Sequence, residues 1–209
     1  MENLTLRFRL GRIPIEVEPL FWLMAFVMGS NLRGPAIVLW VLVVFVSIMV
    51  HELGHALATI AFGARAKIKL HSMGGLTYPD RKLTRSQEVL MTLAGPFAGF
   101  ALAAVAYAIP WQFPAVIMSP NAFTLLSFIV SVNFWWGVMN LLPVPPLDGG
   151  HVALALAGPR RQYAVRVLAV IVAGLVVVWS VMAGRMYTAV LFGLLGYQSL
   201  QVITRTARA

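Results

Sequence analysis

Long apolar stretches interrupted by short charged segments set the pattern of this chain. A membrane-spanning helix needs roughly 20 consecutive apolar residues. Runs of suitable character lie at about 20–29, at 36–62, twice between Glu88 and Asp148, between Arg166 and Arg185, and between Arg185 and Arg205. The two central runs are divided by 109–121, whose three prolines and one asparagine mark a loop. The pattern therefore predicts six spans, of which the first is the shortest.

The distribution of basic residues supports this count. Of the 16 Lys and Arg residues, 14 fall in the N-terminal tail, the second loop, the fourth loop and the C-terminus, which are alternate segments. Basic residues concentrate on the cytoplasmic side of a membrane. We therefore expect a multi-pass protein of the cell membrane with its N- and C-termini in the cytoplasm.

Two basic segments outside the spans alternate between apolar and polar residues. They are 4–18, LTLRFRLGRIPIEVE, and 64–78, ARAKIKLHSMGGLTY. A period of two bounded by glycine and proline is typical of β-strands; irregular basic loops on lipid headgroups are the alternative. The sequence thus predicts an all-α polytopic membrane protein, with six transmembrane helices and a small cytoplasmic-side β-structure, folded as one membrane-embedded domain over 1–209.

Composition and charge agree with a membrane location. The chain is 60% hydrophobic and 11% charged, whereas soluble domains carry about 25% charged residues. The net charge of +9 is explained by cations that flank the spans and contact anionic lipid, so the expected partner is the bilayer and not nucleic acid. The absence of cysteine excludes disulfides and thiolate metal sites.

The second apolar run contains HELGH, from His51 to His55, which places two imidazoles and a carboxylate in an apolar helix. Each ionisable group near the bilayer centre costs at least about 2.5–3.5 kcal/mol. Residues four apart share a helix face, so the two histidines can bind one metal ion while Glu52 acts as general base, as in the H-E-x-x-H pattern of zinc hydrolases. A buried polar cluster satisfied by neighbouring helices explains the three groups less simply.

A catalytic zinc site needs a third protein ligand, which here must be His, Asp or Glu. The segment 140–151, NLLPVPPLDGGH, follows the fourth predicted span, and its prolines break that helix at a depth similar to that of His51. Asp148 and His151 are therefore the candidates, and the two glycines between them are expected to form a sharp turn. An equally good interpretation makes Asp148 the N-cap of a following helix.

HELGH in a membrane span together with NLLPVPPLDGG resembles the site-2 protease family of intramembrane zinc metalloproteases. The second signature of that family, N-x-x-P-x-P-x-L-D-G, is matched from Asn140 to Gly149. MGGL at 73–76 and AGP at 94–96 are also similar to the family, whereas its frequent G-P-x-x-N ends here in Gly99 instead of asparagine.

The resemblance implies a set of site residues. The ligands of one zinc ion per chain would be His51, His55 and Asp148. Glu52 would be the general base and proton shuttle, and Asn140 would position the substrate or the developing oxyanion.

The resemblance also implies a substrate. Gly74 and Gly75 would belong to a membrane-associated β-structure beside the site, to which an extended substrate can add through main-chain hydrogen bonds. The implied reaction is hydrolysis of a peptide bond within or next to a transmembrane segment of a membrane protein (regulated intramembrane proteolysis), at a site toward the cytoplasmic side. We expect a minimal form without a PDZ or CBS domain, and a homo-oligomer is left open.

Two other functions use similar residues. A zinc or proton transporter would need ligands along a path to the outer face, where the predicted loops offer none. A non-catalytic relative would not need the two histidines, Glu52 and Asp148 together. His71 and His151 are interpreted as bystanders, with a supporting contact to a metal ligand as the alternative for His151.

Overall fold

Residues 4–206 are described by the structure, which is a computed structural model. The chain ends, 1–3 and 207–209, for which a cytoplasmic location is predicted, lie outside the described residues. The helices are α1 (Pro19–Met28), α2 (Pro35–Ala61), α3 (Arg85–Gln112), α4 (Pro120–Asn140), α5 (Asp148–Ala157), α6 (Gln162–Met182) and α7 (Met186–Thr206). The strands are β1 (Leu6–Leu10), β2 (Ile13–Val17), β3 (Ala66–His71) and β4 (Gly74–Pro79).

The two alternating segments form a single four-stranded sheet in the order β1-β2-β3-β4. β1 with β2 and β3 with β4 are antiparallel, whereas β2 and β3 run parallel with Ile15 opposite Ile68. Burial alternates along β3, where Ile68 is buried and Lys67 is exposed. The predicted small β-structure is confirmed, and the alternative of irregular basic loops is wrong.

The buried face of the sheet packs against the first two helices. Ile15, Val17, Ile68 and Leu70 are all at most 1% exposed. They form one apolar cluster with residues of α1 and α2, among them Phe21, Ala25, Val44, Ile48 and Ala56. Because β4 contacts α2 as well, the sheet is fixed beside the half of α2 that contains HELGH.

Five helices within residues 4–206 are long and apolar enough to cross a membrane: α2, α3, α4, the stretch Pro159–Met182 that includes α6, and α7. The first predicted span is an apolar helix, α1, but it has only 10 residues. At about 1.5 Å per residue it is about 15 Å long, half of a hydrocarbon core of about 30 Å. Five of the six predicted spans are therefore helices long enough to cross, whereas the first apolar run contains too few helical residues.

The chain divides into two compact units, Met1–Gly137 and Val138–Ala209. The core of the first is the sheet and helix cluster just described. The core of the second consists of α6 and α7 packed with the segment before α5, and its fully buried residues include Val144, Ala169, Phe192 and Leu195. Small residues allow α6 and α7 to approach closely, since a Cβ at Gly196 would lie 3.1 Å from that of Ala173.

Candidate metal centre

His51 and His55 lie one turn apart on α2 with their side chains turned to the same place. Both are almost fully buried, at 3% and 5% exposure. Their Nε2 atoms are 3.2 Å apart. Two nitrogen ligands at about 2.0–2.1 Å from a tetrahedral zinc ion lie about 3.3 Å apart. The imidazole pair therefore fits a zinc ion, as HELGH predicts.

The other ring nitrogen of His55 is fixed by α3. Nδ1 of His55 lies 2.8 Å from the main-chain oxygen of Met91, and a carbonyl can only accept, so this nitrogen carries the proton. The tautomer leaves the Nε2 lone pair directed toward His51. Metal-binding histidines are commonly oriented by such a carbonyl contact.

Two glycines allow α2 and α3 to lie unusually close at this point. A Cβ on Gly95 would overlap the imidazole of His55, and a Cβ on Gly54 would overlap the main-chain oxygen of Ala94. The AGP sequence at 94–96 thus has a packing role, because only glycine leaves room for the His55 ring against α3. Gly54 likewise leaves room for the main chain of α3 at Ala94.

Glu52 points to the sheet. Thr77 of β4 donates its hydroxyl hydrogen to Oε2 of Glu52, at an oxygen–oxygen distance of 2.8 Å. A Cβ on Gly75 would overlap the carboxylate group from the same strand. One ligand atom from each of His51, Glu52 and His55 lies within 4.8 Å of the others, so the carboxylate is beside the imidazole pair.

A second buried polar contact lies one turn before His51. Asn133 of α4 donates through Nδ2 to Oγ of Ser47 and to the main-chain oxygen of Ile129, each at 2.8 Å. Asn133 and Ser47 are both 2% exposed. Gly99, which replaces the family's asparagine, faces this amide, since its Cβ would lie 3.6 Å from Oδ1 of Asn133. The contact ties α4 to α2 one turn before the two buried histidines.

Two further predicted site residues belong to the second unit. Asn140 is the last residue of α4 and Asp148 the first of α5. Leu147 is the N-cap of α5, so the interpretation of Asp148 as N-cap is wrong. Whether Asp148 completes the zinc site stays a prediction.

The glycine pair after Asp148 does not form a turn, contrary to expectation. Gly149 and Gly150 lie in the first turn of α5 and neither has a positive φ. A Cβ on Gly149 would overlap the main chain of Leu141, and one on Gly150 that of Pro145. The physical reason for both glycines is the close packing of the proline-rich segment on α5.

The remaining candidate glycine and the two other histidines lie in different places. Gly74 begins β4 with φ 125°, and a Cβ on it would approach the Trp136 ring to 2.9 Å. His71 ends β3, where its Nδ1 accepts from the Met73 N–H at 3.2 Å and partial burial lowers its pKa. His151 is exposed on α5.

Comparison with known proteins agrees with the site. Peptidase family M50 has a family model that matches residues 39–116 and 112–183. A zinc metalloprotease of Methanocaldococcus jannaschii is 31% identical over 161 residues, which are 75% of this chain and 46% of the relative. Stage IV sporulation protein FB of Bacillus subtilis is 31% identical over 156 residues, which are 72% of this chain and 50% of the relative. The chain thus spans about half the length of these relatives.

A solved structure has the same fold. The site-2 protease from Methanocaldococcus jannaschii matches with a TM-score of 0.68 and 22% identity, over 95% of each chain. The resemblance inferred from HELGH and the second signature is confirmed. Since the family model covers more than half of the residues, the chain belongs to peptidase family M50.

Proposed function

We propose that this protein is an intramembrane zinc metalloprotease. It hydrolyses a peptide bond within or next to a transmembrane segment of a membrane-protein substrate. The observation that carries the proposal is the 3.2 Å spacing of the His51 and His55 Nε2 atoms, with the Glu52 carboxylate beside them in an otherwise apolar helix. Such a buried group of ionisable side chains is costly in a membrane, and zinc hydrolysis gives each member a role.

His51, His55 and Asp148 would hold the ion, one per chain. A zinc ion so held supplies Lewis-acid chemistry, which acidifies a water molecule and polarises a carbonyl group. Glu52 takes a proton from the attacking water through its carboxylate and passes it to the leaving amine. Asn140 contributes by positioning the substrate or the developing oxyanion. The proposed domain is the whole of 1–209.

β4 is the proposed place of the substrate. It lies at one edge of the sheet within residues 4–206, and Gly75 brings its main chain against Glu52. Unwinding of the substrate helix would release its peptide groups from their helical hydrogen bonds and expose them to hydrolysis. The extended segment could then add to this edge through main-chain hydrogen bonds. Gly74 and Gly75 would leave space for that segment beside the base.

The pairing of two strands supports six membrane crossings. β2 precedes α1 and β3 follows α2, yet the two strands are paired, so the intervening chain leaves and returns to one side. α2 has 27 residues, about 40 Å, and crosses once. We infer that 18–34 crosses in the opposite direction, as short helix α1 followed by a non-helical segment. Six crossings then put both termini and the site toward the cytoplasmic side, as the basic residues favour.

The test is zinc-dependent cleavage of a single-span model peptide with Asn-Pro in its helix, by purified protein in detergent. Glu52→Gln is expected to keep zinc and to lower the rate at least about 10²-fold, since a general base contributes about 10²–10⁴. Glu88→Gln makes the same change at an exposed carboxylate of α3 and should leave the rate unchanged. Cleavage by Glu52→Gln at the wild-type rate would contradict the proposal.

A further inference from the structure

Thr77 attracts no attention in the sequence, since threonine is common in strands. In the structure its hydroxyl lies 2.8 Å from Oε2 of Glu52 and 3.2 Å from the Glu52 main-chain oxygen. Because side chains two apart in a strand share a face, Thr77 and Gly75 both meet α2. Leu76 and Tyr78, on the other face, are 40% and 48% exposed.

The two residues of β4 act on the carboxylate in different ways. Gly75 provides space, because any Cβ there would overlap the Glu52 side chain. Thr77 provides a donor, and hydrogen bonds to a charged acceptor are shorter and about twice as strong as those between neutral groups. A glutamate has three side-chain torsions to order, so a base that must meet a water molecule from one direction benefits from a fixed oxygen.

We propose that Thr77 is a positioning residue, whose hydroxyl holds the Glu52 carboxylate against β4 in the orientation required of the general base. This inference rests on the proposed function. It assigns to β4 a second task besides the proposed docking of substrate, because the same strand fixes the base. Thr77 itself touches neither substrate nor metal in this role.

The test compares two substitutions of similar size. Thr77→Val keeps the branched shape and strand propensity but loses the donor, whereas Thr77→Ser keeps the donor. With the single-span model peptide, Thr77→Val is expected to lower kcat about tenfold or more, with KM and the zinc content of the purified protein unchanged. Thr77→Ser should stay within about threefold of wild type by the same reasoning.

Three results would overturn the inference. They are a wild-type kcat in Thr77→Val, a loss in Thr77→Ser as large as in Thr77→Val, and loss of zinc in Thr77→Val. If Glu52→Gln cleaves normally, the proposed function fails as a whole. If Glu52→Gln is inactive and Thr77→Val is normal, only the role of Thr77 fails.

A measurement without substrate tests the contact itself. Thr77→Val is expected to lower the Tm of the detergent-solubilised protein by about 2–4 °C, the effect of one hydrogen bond in a chain of this size. In a Glu52→Ala background the same change should shift the Tm by less, because only the weaker contact with the main-chain oxygen of residue 52 remains to be lost. Equal shifts in the two backgrounds would show that Thr77 does not act on Glu52.

Discussion

Two groups of ionisable side chains in the first unit differ in their exposure and therefore in their energetic cost. The surface ion pairs of the sheet, Glu16 with Lys67 at 3.0 Å and Glu18 with Lys69 at 2.7 Å, have side chains 23–46% exposed. The buried polar cluster of α2, His51, Glu52 and His55, is at most 5% exposed. Exposed ion pairs contribute at most about 1 kcal/mol, whereas buried ionisable groups cost several.

This difference in burial indicates which of the two groups has a functional role. The surface ion pairs are what a polar sheet face requires, and no further role is needed to explain them. The buried polar cluster opposes folding unless its groups are satisfied, and the structure surrounds it with matched features: the Met91 carbonyl, Gly95 and Thr77. Ionisable groups that are buried at a cost in free energy, and that other residues contact specifically, indicate a functional site. Substitutions should therefore have unequal effects in the two regions.

The largest effect is expected from Gly95→Ala, since the added Cβ overlaps the His55 ring. The ring must leave its present position beside His51, so zinc binding should be lost, and overpacking should lower the free energy of unfolding by about 1–3 kcal/mol. Zinc content and thermal unfolding in detergent measure both. Gly99→Ala on the same helix is the control, because its Cβ meets its nearest atom at 3.6 Å. Full zinc binding by Gly95→Ala would refute the packing argument.

A smaller effect is expected from Asn133→Leu, which removes the donor to Ser47. Side-chain hydrogen bonds between membrane helices contribute about 0.6–2 kcal/mol, so the free energy of unfolding should fall by about 1 kcal/mol with zinc retained. In a Ser47→Ala background the loss should shrink, because the acceptor is already gone. Loss of zinc in Asn133→Leu would mean that this contact belongs to the metal centre.

The smallest effect is expected from Glu16→Gln in the surface ion pairs. The hydrogen bond from Lys67, aided by the charges of Lys67, Arg7 and Lys69, lowers the pKa of Glu16 below its usual 4.5. A carboxyl with a lowered folded-state pKa stabilises the fold above its unfolded pKa, and the contribution disappears as the pH falls through the folded value. Glu16→Gln should therefore lower the Tm slightly at pH 7 and not at about pH 3. A Tm difference between wild type and Glu16→Gln that grows at acidic pH would contradict a stabilising role for the ionised Glu16 carboxylate.

Local patterns predicted the strands and the buried histidine pair, because each depends on spacing within one element. Alternation of apolar and basic residues defines β2 and β3, and the spacing of four aligns His51 with His55 on α2. Contacts between segments that are distant in the chain produce no regular spacing in the sequence. Nothing around Thr77 indicates that its hydroxyl faces Glu52, 25 residues earlier.

Two expectations are not matched by the structure, for related reasons. The run at 20–29 has the composition of a span, but the helix that it forms, Pro19–Met28, has only 10 residues, since composition does not set helix length. Glycines after a proline-rich segment suggest a turn, yet Gly149 and Gly150 are helical and serve close packing against Leu141 and Pro145. Glycine permits both tight turns and close contacts, and only the fold decides between them. The packing role of AGP at 94–96 likewise became visible only in the structure, where Gly95 lies against the His55 ring.

His51, His55 and Asp148 are the proposed ligands of one zinc ion per chain. The most direct test is zinc content per chain by elemental analysis, for wild type, His55→Ala and Asp148→Asn, after loading with zinc and removal of the excess. We expect about one zinc in wild type, none in His55→Ala, and weakened or lost binding in Asp148→Asn. Wild type without zinc would contradict the metal centre, and undiminished zinc affinity in Asp148→Asn would contradict Asp148 as its third ligand.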